Sequence, residues 1–150
     1  MKKIYTVVIG IMMTLLILGC GKKDPATAEK FKNTMSSNGY TVVDITSKYS
    51  PSQINNVMIA QKDGYQIEFF DVKNVDIAVS SFNTNKDKFE KSKGNAAVQT
   101  SRSAGNSSRY TLKANSKYKV VSRIENTFIY INAPSEKADE IDTVLKKLNY

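Results

Sequence analysis

The chain has 150 residues and carries 22 Lys and Arg against 14 Asp and Glu, with one cysteine and no histidine. The lack of histidine removes the commonest general base near neutral pH and the commonest metal ligand. With a single cysteine there is no intramolecular disulfide, so an apolar core must stabilise the fold. No P-loop, G-x-S-x-G or Rossmann glycine pattern occurs. The sequence predicts no catalytic residues, no metal ligands and no cofactor.

The first twenty residues divide into the parts of a secretory signal. Lys2 and Lys3 form a positive segment, and Ile4–Leu18 form a nearly unbroken apolar run. Gly19 and Cys20 follow directly, so that Leu-Ile-Leu-Gly-Cys resembles a bacterial lipobox. Leu18 departs from the Ala, Ser or Thr that is usual at its position, which bears on processing efficiency. The pattern predicts a diacylglycerol on the sulfur of Cys20 and cleavage of the leader before it.

The predicted organisation is a signal peptide at 1–19, a lipidated cysteine with a short tether at 20–24, and one domain at 25–150. An apolar helix of 15 residues rises about 22 Å, against about 30 Å of bilayer hydrocarbon. The run is therefore short for a permanent membrane span. An uncleaved N-terminal anchor with an incidental cysteine is the alternative. Either way, the domain is predicted to lie at the outer face of the cell membrane.

The mature chain retains a basic excess. Without Lys2 and Lys3 it has 20 basic and 14 acidic residues, a net charge of about +6. Such an excess can serve solubility alone. It can also attract the chain to acidic lipid headgroups or anionic envelope polymers. The candidate contacts for an anionic surface are Lys22, Lys23, Arg102 and Arg109.

The first third of the domain predicts a helix followed by a strand. Asp24-Pro25 is a favourable helix start, since Asp can cap free N–H groups and Pro suits the first helical position. Three apolar residues then share one helical face, and Asn38-Gly39 ends it; they are Ala28, Phe31 and Met35. Tyr40–Thr46 predicts a strand from its β-branched content. The next ten residues, 47–56, predict a loop with at most one helical turn.

Asp63-Gly64 predicts a two-residue hairpin turn between the strands Val57–Lys62 and Tyr65–Val72. Both turn residues tolerate the positive φ angles of a type I′ turn. The predicted cross-strand pairs are Met58 with Phe69, Ala60 with Ile67, and Lys62 with Tyr65. All but Lys62 are apolar or aromatic, so this face is expected to point into the core. The other face carries Gln61, Gln66 and Glu68 toward solvent.

The second half predicts helix, strands, helix. The range 74–93 shows helical spacing, with a weak point at Asn83-Thr84-Asn85. We expect an edge strand at 96–101 and a mobile loop at 102–108. Three antiparallel strands are expected at 109–114, 117–124 and 127–132. A last helix follows Ala133-Pro134-Ser135, with an apolar stripe formed by Ala138, Ile141, Val144, Leu145 and Leu148.

These elements predict an α+β fold with an antiparallel sheet of about five to seven strands and three helices packed mainly on one face. Two segments show a loose likeness, FKNTMSSNGYTVVDIT at 31–46 and FEKSKGNAAVQTS at 89–101. Each contains a helix end, a glycine and a strand, which is a weak indication of internal duplication.

Only carboxylates remain as catalytic groups. A pair for glycoside hydrolysis can be sought among Asp44, Glu68 and Asp71, although all three suit solvent-facing strand or turn positions. A second pattern interleaves basic residues with tyrosines, which can bind polyanions or stacked bases; it comprises Arg102, Arg109, Lys113, Lys117, Lys119, Arg123, Tyr110, Tyr118 and Tyr130. Export argues against nucleic acid as the ligand.

Most of the mature chain resembles small uncharacterised lipoproteins of low-GC Gram-positive, clostridia-like bacteria. The stretches that carry the likeness are NGYTVVDIT, IAQKDGYQIEFFDV, FEKSKGN, YKVVSRIENTFIYINAP and LKKLNY. The resemblance implies an envelope location and an α+β domain, and it brings no activity with it. The sequence therefore favours a membrane-tethered, non-enzymatic binding or accessory domain whose partner is an envelope protein or anionic polymer. A small carboxylate-dependent hydrolase of an envelope polymer is the alternative.

Replacing the cysteine tests the lipobox. In Cys20→Ser the acceptor sulfur is lost, so we expect an unlipidated precursor that is poorly processed or misplaced. Lipid attachment gives about 0.8 kcal/mol per buried CH₂, so its loss should be visible in fractionation. Metabolic labelling with a fatty-acid analogue measures the modification. Normal labelling of the variant would show that Cys20 is not the acceptor.

Overall fold

The computed structural model describes residues 21–150, so the predicted signal peptide and Cys20 lie outside the described residues. Three helices are present, α1 (Ala28–Ser37), α2 (Val75–Lys91) and α3 (Ala138–Lys147). The seven strands are β1 (Thr41–Asp44), β2 (Ile54–Lys62), β3 (Tyr65–Val72), β4 (Val98–Ala104), β5 (Ser107–Ala114), β6 (Lys117–Ile124) and β7 (Thr127–Pro134). Short 3₁₀ turns occupy Thr46–Lys48 and Ser135–Lys137.

All seven strands form one antiparallel sheet in the order β1-β2-β3-β7-β6-β5-β4. Five of the six strand pairs join strands that follow each other in the chain. The sixth pairs β3 with β7 and so joins the two halves of the sheet. The predicted α+β class and antiparallel sheet are confirmed.

The helices divide between the two faces of the sheet. Since side chains alternate along a strand, β3 sends Ile67 and Phe69 to one face and Phe70 to the other. The first face packs against α1 and α3 around Phe31, Met35 and the α3 stripe. All five predicted stripe residues of α3 are buried. The second face packs against α2, through Phe82 and Phe89 over β5 and β6 and through Ala78 beside Phe128.

The predicted hairpin is confirmed. The pairs Met58 with Phe69, Ala60 with Ile67 and Lys62 with Tyr65 all occur. Asp63 and Gly64 have φ of 48° and 78°, as a type I′ turn requires. β2 begins at Ile54, three residues before the predicted start, because its first residues pair with the end of β3 through a register shift between Ile54 and Asn56.

The helix starts differ from prediction in one case. α2 begins after Asn74, whose side chain accepts a hydrogen bond from the Ile77 N–H at 3.0 Å. α1 begins after Thr27, whose hydroxyl accepts from the Lys30 N–H at 3.1 Å, so the predicted cap at Asp24 is wrong. The segment between Asp24 and Thr27 stays outside the helix, and its residue Ala26 is buried in the core. α2 is continuous through residues 83–85, because Phe82 and Phe89 hold both of its halves on the sheet.

The predicted mobile loop at 102–108 is wrong. Residues 98–104 and 107–114 form the paired strands β4 and β5, joined by Gly105-Asn106 with Gly105 at φ 55°. The serine-rich segment carries little local strand preference. Its strand conformation comes from the backbone pairing with β5. β4 is therefore the edge strand, and it ends three residues beyond the predicted one.

Gly64→Val tests the turn. A β-branched residue at φ 78° is strained, and we expect the free energy of unfolding to fall by about 1–3 kcal/mol. Chemical denaturation of the full-length protein measures the change. Gly94→Val is the matched control, because Gly94 has no positive φ and a Cβ there meets only the Asn115 Oδ1, at 3.7 Å. Equal midpoints for both variants would contradict the I′ assignment.

Candidate anion-binding cleft

α1 and α3 leave the β4–β5 side of their face uncovered, and a cleft of about 520 Å³ lies there between α3 and the sheet. Its cationic lining comes from three parts of the chain: Lys23 before α1, Arg102 and Arg109 on paired strands, and Lys146 in the last turn of α3. Asp142 is the single carboxylate of the lining. The cleft therefore has a marked positive excess.

Lys23 is fixed to the domain by three hydrogen bonds. Its backbone N–H donates to the Asn106 Oδ1 at 2.9 Å, and its carbonyl accepts from the Asn106 Nδ2 at 2.8 Å. Its Nζ donates to the carbonyl of Asn149 at 3.0 Å. Asn106 is itself held by Glu125, whose carboxylate accepts from the same amide at 2.7 Å. The end of the predicted tether is thus bound to the β4–β5 turn.

Arg102 and Arg109 stand directly opposite each other on β4 and β5, on the same face of the sheet. Like charges in directly opposed positions destabilise a sheet. The Arg109 Nη2 is neutralised by Asp142 at 2.7 Å. Arg102 forms no ion pair with any residue from 21 to 150. One positive charge of the pair is left without a counter-charge from the described chain.

Asp142 also orders Tyr118. The Tyr118 hydroxyl donates to the same carboxylate oxygen at 2.6 Å and accepts a longer contact from the Arg109 Nη2 at 3.5 Å. Burial, together with the hydrogen bond to the Asp142 carboxylate, raises the pKa of Tyr118 to about 12. Tyr118 therefore stays a neutral hydrogen-bond donor at physiological pH. Asp142 and Tyr118 thus fix the Arg109 guanidinium at the wall of the cleft.

The lining of the cleft also includes apolar surface. It comes from Ala104 and Ile124 together with Tyr118 and Tyr150. Tyr150 is buried, and its hydroxyl bonds to that of Thr127. Hydroxyl groups of Ser107 and Thr111 complete the lining. A ligand with an anionic group and a short apolar part suits this surface.

Three of the four predicted surface contacts come together in this cleft: Lys23, Arg102 and Arg109. Lys22 is exposed and does not line it. Sequence reasoning missed Asp142, Lys146 and Asn106. In the sequence, the acidic and basic residues of α3 are typical of charges near helix ends. Only the packing of α3 brings two of them, Asp142 and Lys146, beside β5.

The other basic and aromatic residues of the predicted polyanion pattern do not share one surface. Tyr110 and Tyr130 lie on the α2 face, where Lys119 donates to the Ser92 hydroxyl at 2.7 Å. Arg123 is buried and donates to the carbonyl of Glu125. The alternation that interleaves them in sequence sends them to opposite sides of the sheet.

A larger and shallower cavity, about 900 Å³, lies on the part of the α2 face that α2 leaves open. Glu68 and Asp63 border it. Asp63 lies in the turn between β2 and β3, and Glu68 is the fourth residue of β3. Asp63 is also engaged by Lys137 at 2.6 Å. We assign the candidate site to the smaller cleft because the predicted charges converge there.

The remaining candidate carboxylates have structural roles. Asp71 accepts hydrogen bonds from Asn55 and Asn126, both at 2.9 Å. The Thr46 side chain and the Thr46 N–H, which donates to Asp44 at 2.8 Å, together hold the pKa of Asp44 below its usual value. Neither lines a described cavity with Glu68. The structure does not bring the three predicted carboxylates together.

Comparisons with protein-family profiles, curated proteins and solved structures find no significant match for the chain. Within residues 21–150, no group of three or more His, Cys, Asp or Glu side chains is placed to hold a metal ion. Among the helices of that same range, none is long and apolar enough to cross a bilayer.

The raised pKa of Tyr118 predicts a loss of stability in alkali. The folded state holds this proton more tightly than the unfolded state, whose pKa is near 10, so the stabilisation is complete below pH 10 and is lost as pH rises through about 12. Between pH 10 and 12, wild type should lose about 1–2 kcal/mol more than Tyr118→Phe. Denaturant titrations at each pH measure this. Parallel pH profiles of the two proteins would contradict the Tyr118–Asp142 contact.

Proposed function

We propose that the protein is a membrane-anchored extracytoplasmic lipoprotein of the resembled clostridial type, whose domain binds an anionic ligand at the cell envelope without catalysing a reaction. The observation that carries the proposal is the convergence of Lys23, Arg102 and Arg109 on one cleft. Lys23 is distant in the sequence from the two arginines, which lie on the paired strands β4 and β5. Their meeting beside the predicted anchor links binding to the envelope location.

The uncompensated Arg102 supports an anionic ligand. Arg102 has no counter-charge beside Arg109, and an anion bound on the face of the sheet that carries both side chains would supply one. A guanidinium presents donors in a fixed fork that matches carboxylate and phosphate groups. Arg109, held by Asp142 and Tyr118, adds donors beside Arg102, and Lys146 adds one from the α3 wall.

The arrangement supports binding over hydrolysis. The only carboxylate lining the cleft among the described residues, Asp142, is already engaged by Arg109 and Tyr118. Acid–base hydrolysis by carboxylates alone requires two of them across one substrate. On the α2 face, one of the two bordering carboxylates, Asp63, is already engaged by Lys137. The hydrolase alternative has no cavity of the described chain in its favour.

A soluble polyanion tests the proposal. Purified full-length protein in detergent is titrated into fluorescently labelled polyphosphate, and anisotropy gives the dissociation constant. In Arg102→Gln with Lys146→Gln, two cationic groups are removed and neither belongs to an ion pair. At about 1 kcal/mol per basic residue, the affinity should fall about thirtyfold. Added salt should weaken wild-type binding through screening.

The control carries the same change of net charge elsewhere. Lys91 and Lys117 are exposed and make no ion pair within residues 21–150. Lys91→Gln with Lys117→Gln should lower the affinity by no more than about threefold, the part due to net charge. Equal losses in the two double variants would show that the cleft has no special role.

A further inference from the structure

The contacts of Lys23 determine which end of the domain faces the anchor. The Asn106 side chain bonds to both the backbone N–H and the backbone carbonyl of Lys23. The Asn149 carbonyl accepts a hydrogen bond from the Lys23 Nζ. Since Cys20 lies three residues earlier, an extended chain places it within about 11 Å of Lys23. This step rests on the proposed anchor at Cys20. The lipid then enters the membrane next to the β4–β5 turn.

The end of the sheet beside Lys23, which we call the tether end, is built from several turns. Asn106 contacts Glu125 of the β6–β7 turn, and Asn126 donates to the carbonyl of Val72 at the end of β3 at 2.8 Å. Lys73 follows directly and is exposed. The opposite end carries the turns Asp63-Gly64 and Asn115-Ser116, about 25 Å away along strands of eight residues.

The cleft opens close to the tether end. Arg102 and Arg109 are two strand positions from Ala104 and Ser107, which flank the Gly105-Asn106 turn. Two positions correspond to about 7 Å along the strand. Lys23 and the C-terminal end of α3 border the cleft on the side of the tether end. A group at the level of lipid headgroups can therefore reach both guanidinium groups.

The lining fits an amphiphile better than a free ion. The cationic side chains share the lining with apolar surface of Ala104, Ile124 and Tyr150. An inorganic anion uses only the cationic part. The phosphate of a phospholipid, with the glycerol and first carbons attached to it, uses both.

We infer that the domain stands on its membrane with the tether end down, and that the cleft binds the headgroup phosphate of an anionic phospholipid in that same membrane. Arg102, Arg109 and Lys146 contact the phosphate, and Asn106 fixes the orientation by holding Lys23. The ligand lies within reach at all times. The domain is thereby held in one pose, and its far end and the α2 face are presented away from the lipid.

The orientation is measured by energy transfer in vesicles. Full-length lipidated protein is reconstituted into phosphatidylglycerol vesicles containing an acceptor dye on the headgroups. A donor dye is attached at Lys73→Cys near the tether end or at Asn95→Cys near the far end, where Gly94 approaches Asn115. Transfer from position 73 should clearly exceed transfer from position 95. Equal transfer would overturn the inferred pose.

Two variants separate the clamp from the cleft. Asn106→Ala removes the contacts to Lys23, so the difference between the two donor positions should shrink in vesicles of any lipid. Arg102→Gln with Lys146→Gln should shrink it in phosphatidylglycerol but not in phosphatidylcholine. Lys91→Gln with Lys117→Gln is the charge-matched control and should leave it unchanged. Thermal midpoints establish that each variant is folded, and identical behaviour of the cleft and control variants would overturn the headgroup site.

Further arms identify the source of a failure. Inorganic phosphate at 20 mM, compared with chloride of equal ionic strength, should leave the difference in energy transfer between the two donor positions intact. If phosphate abolishes this difference, the ligand is free phosphate and not the lipid. Wild type without an added cysteine should take up no dye, because its only thiol is acylated. Dye on Cys20 would show that the proposed anchor has failed. Loss of the pose with normal lipidation and polyphosphate binding would overturn this inference alone.

Discussion

The pairing of β3 with β7 is the contact on which the rest of the structure depends. Residues 67–71 meet residues 127–131 across about sixty positions of sequence, whereas the other strand pairs of the described chain are local hairpins. Phe70 and Phe128 stack across it with ring centroids 4.6 Å apart, and Phe69 and Ile129 are buried on the opposite face. Without this ladder neither half of the sheet could be covered by helices from both sides. Because such a pairing must close a long loop before its contacts form, it is the part of the fold that local sequence signals specify least.

The same ladder determines where the cleft lies. Once β3 and β7 join the halves, α1 and α3 meet over the centre of one face, and α3 has too little width to reach β4. The uncovered strip therefore falls on the β4–β5 hairpin, and α3 forms the opposite wall. Lys23 lines the cleft beside the α3 wall. The topology therefore places the anchor segment next to the cleft. No local sequence motif at Arg102 or Arg109 predicts that these residues lie next to the anchor segment.

The sequence predicted well the features that short-range physics controls. The Asp63-Gly64 turn, its register and the α3 stripe follow from φ preferences and periodicity, and the structure confirms them. Predictions failed where contacts outside the segment itself decide the outcome. Residues 102–108 look like a loop because their own preferences are weak, yet β5 recruits them into the sheet. Asp24 has the chemistry of a helix cap, but burial of Ala26 shifts the start to Thr27. For the site, the basic residues were predictable as a group, whereas Asp142 and Lys146 depended on the docking of α3.

Arg102 has a simpler explanation that must be weighed against ligand binding. A charged side chain on an exposed edge strand discourages pairing with another chain, and β4 is exposed along its whole length, with Val98 at 69 %. Edge protection accounts for a charge at position 102. It does not account for a second arginine directly opposite on β5, where a neutral or acidic residue would protect the edge at lower electrostatic cost. Nor does it account for the acid on α3 that positions Arg109, or for the clamp that brings Lys23 to the same cleft. Since these features come from four separate segments, a common anionic ligand explains them with one cause, whereas edge protection explains one residue.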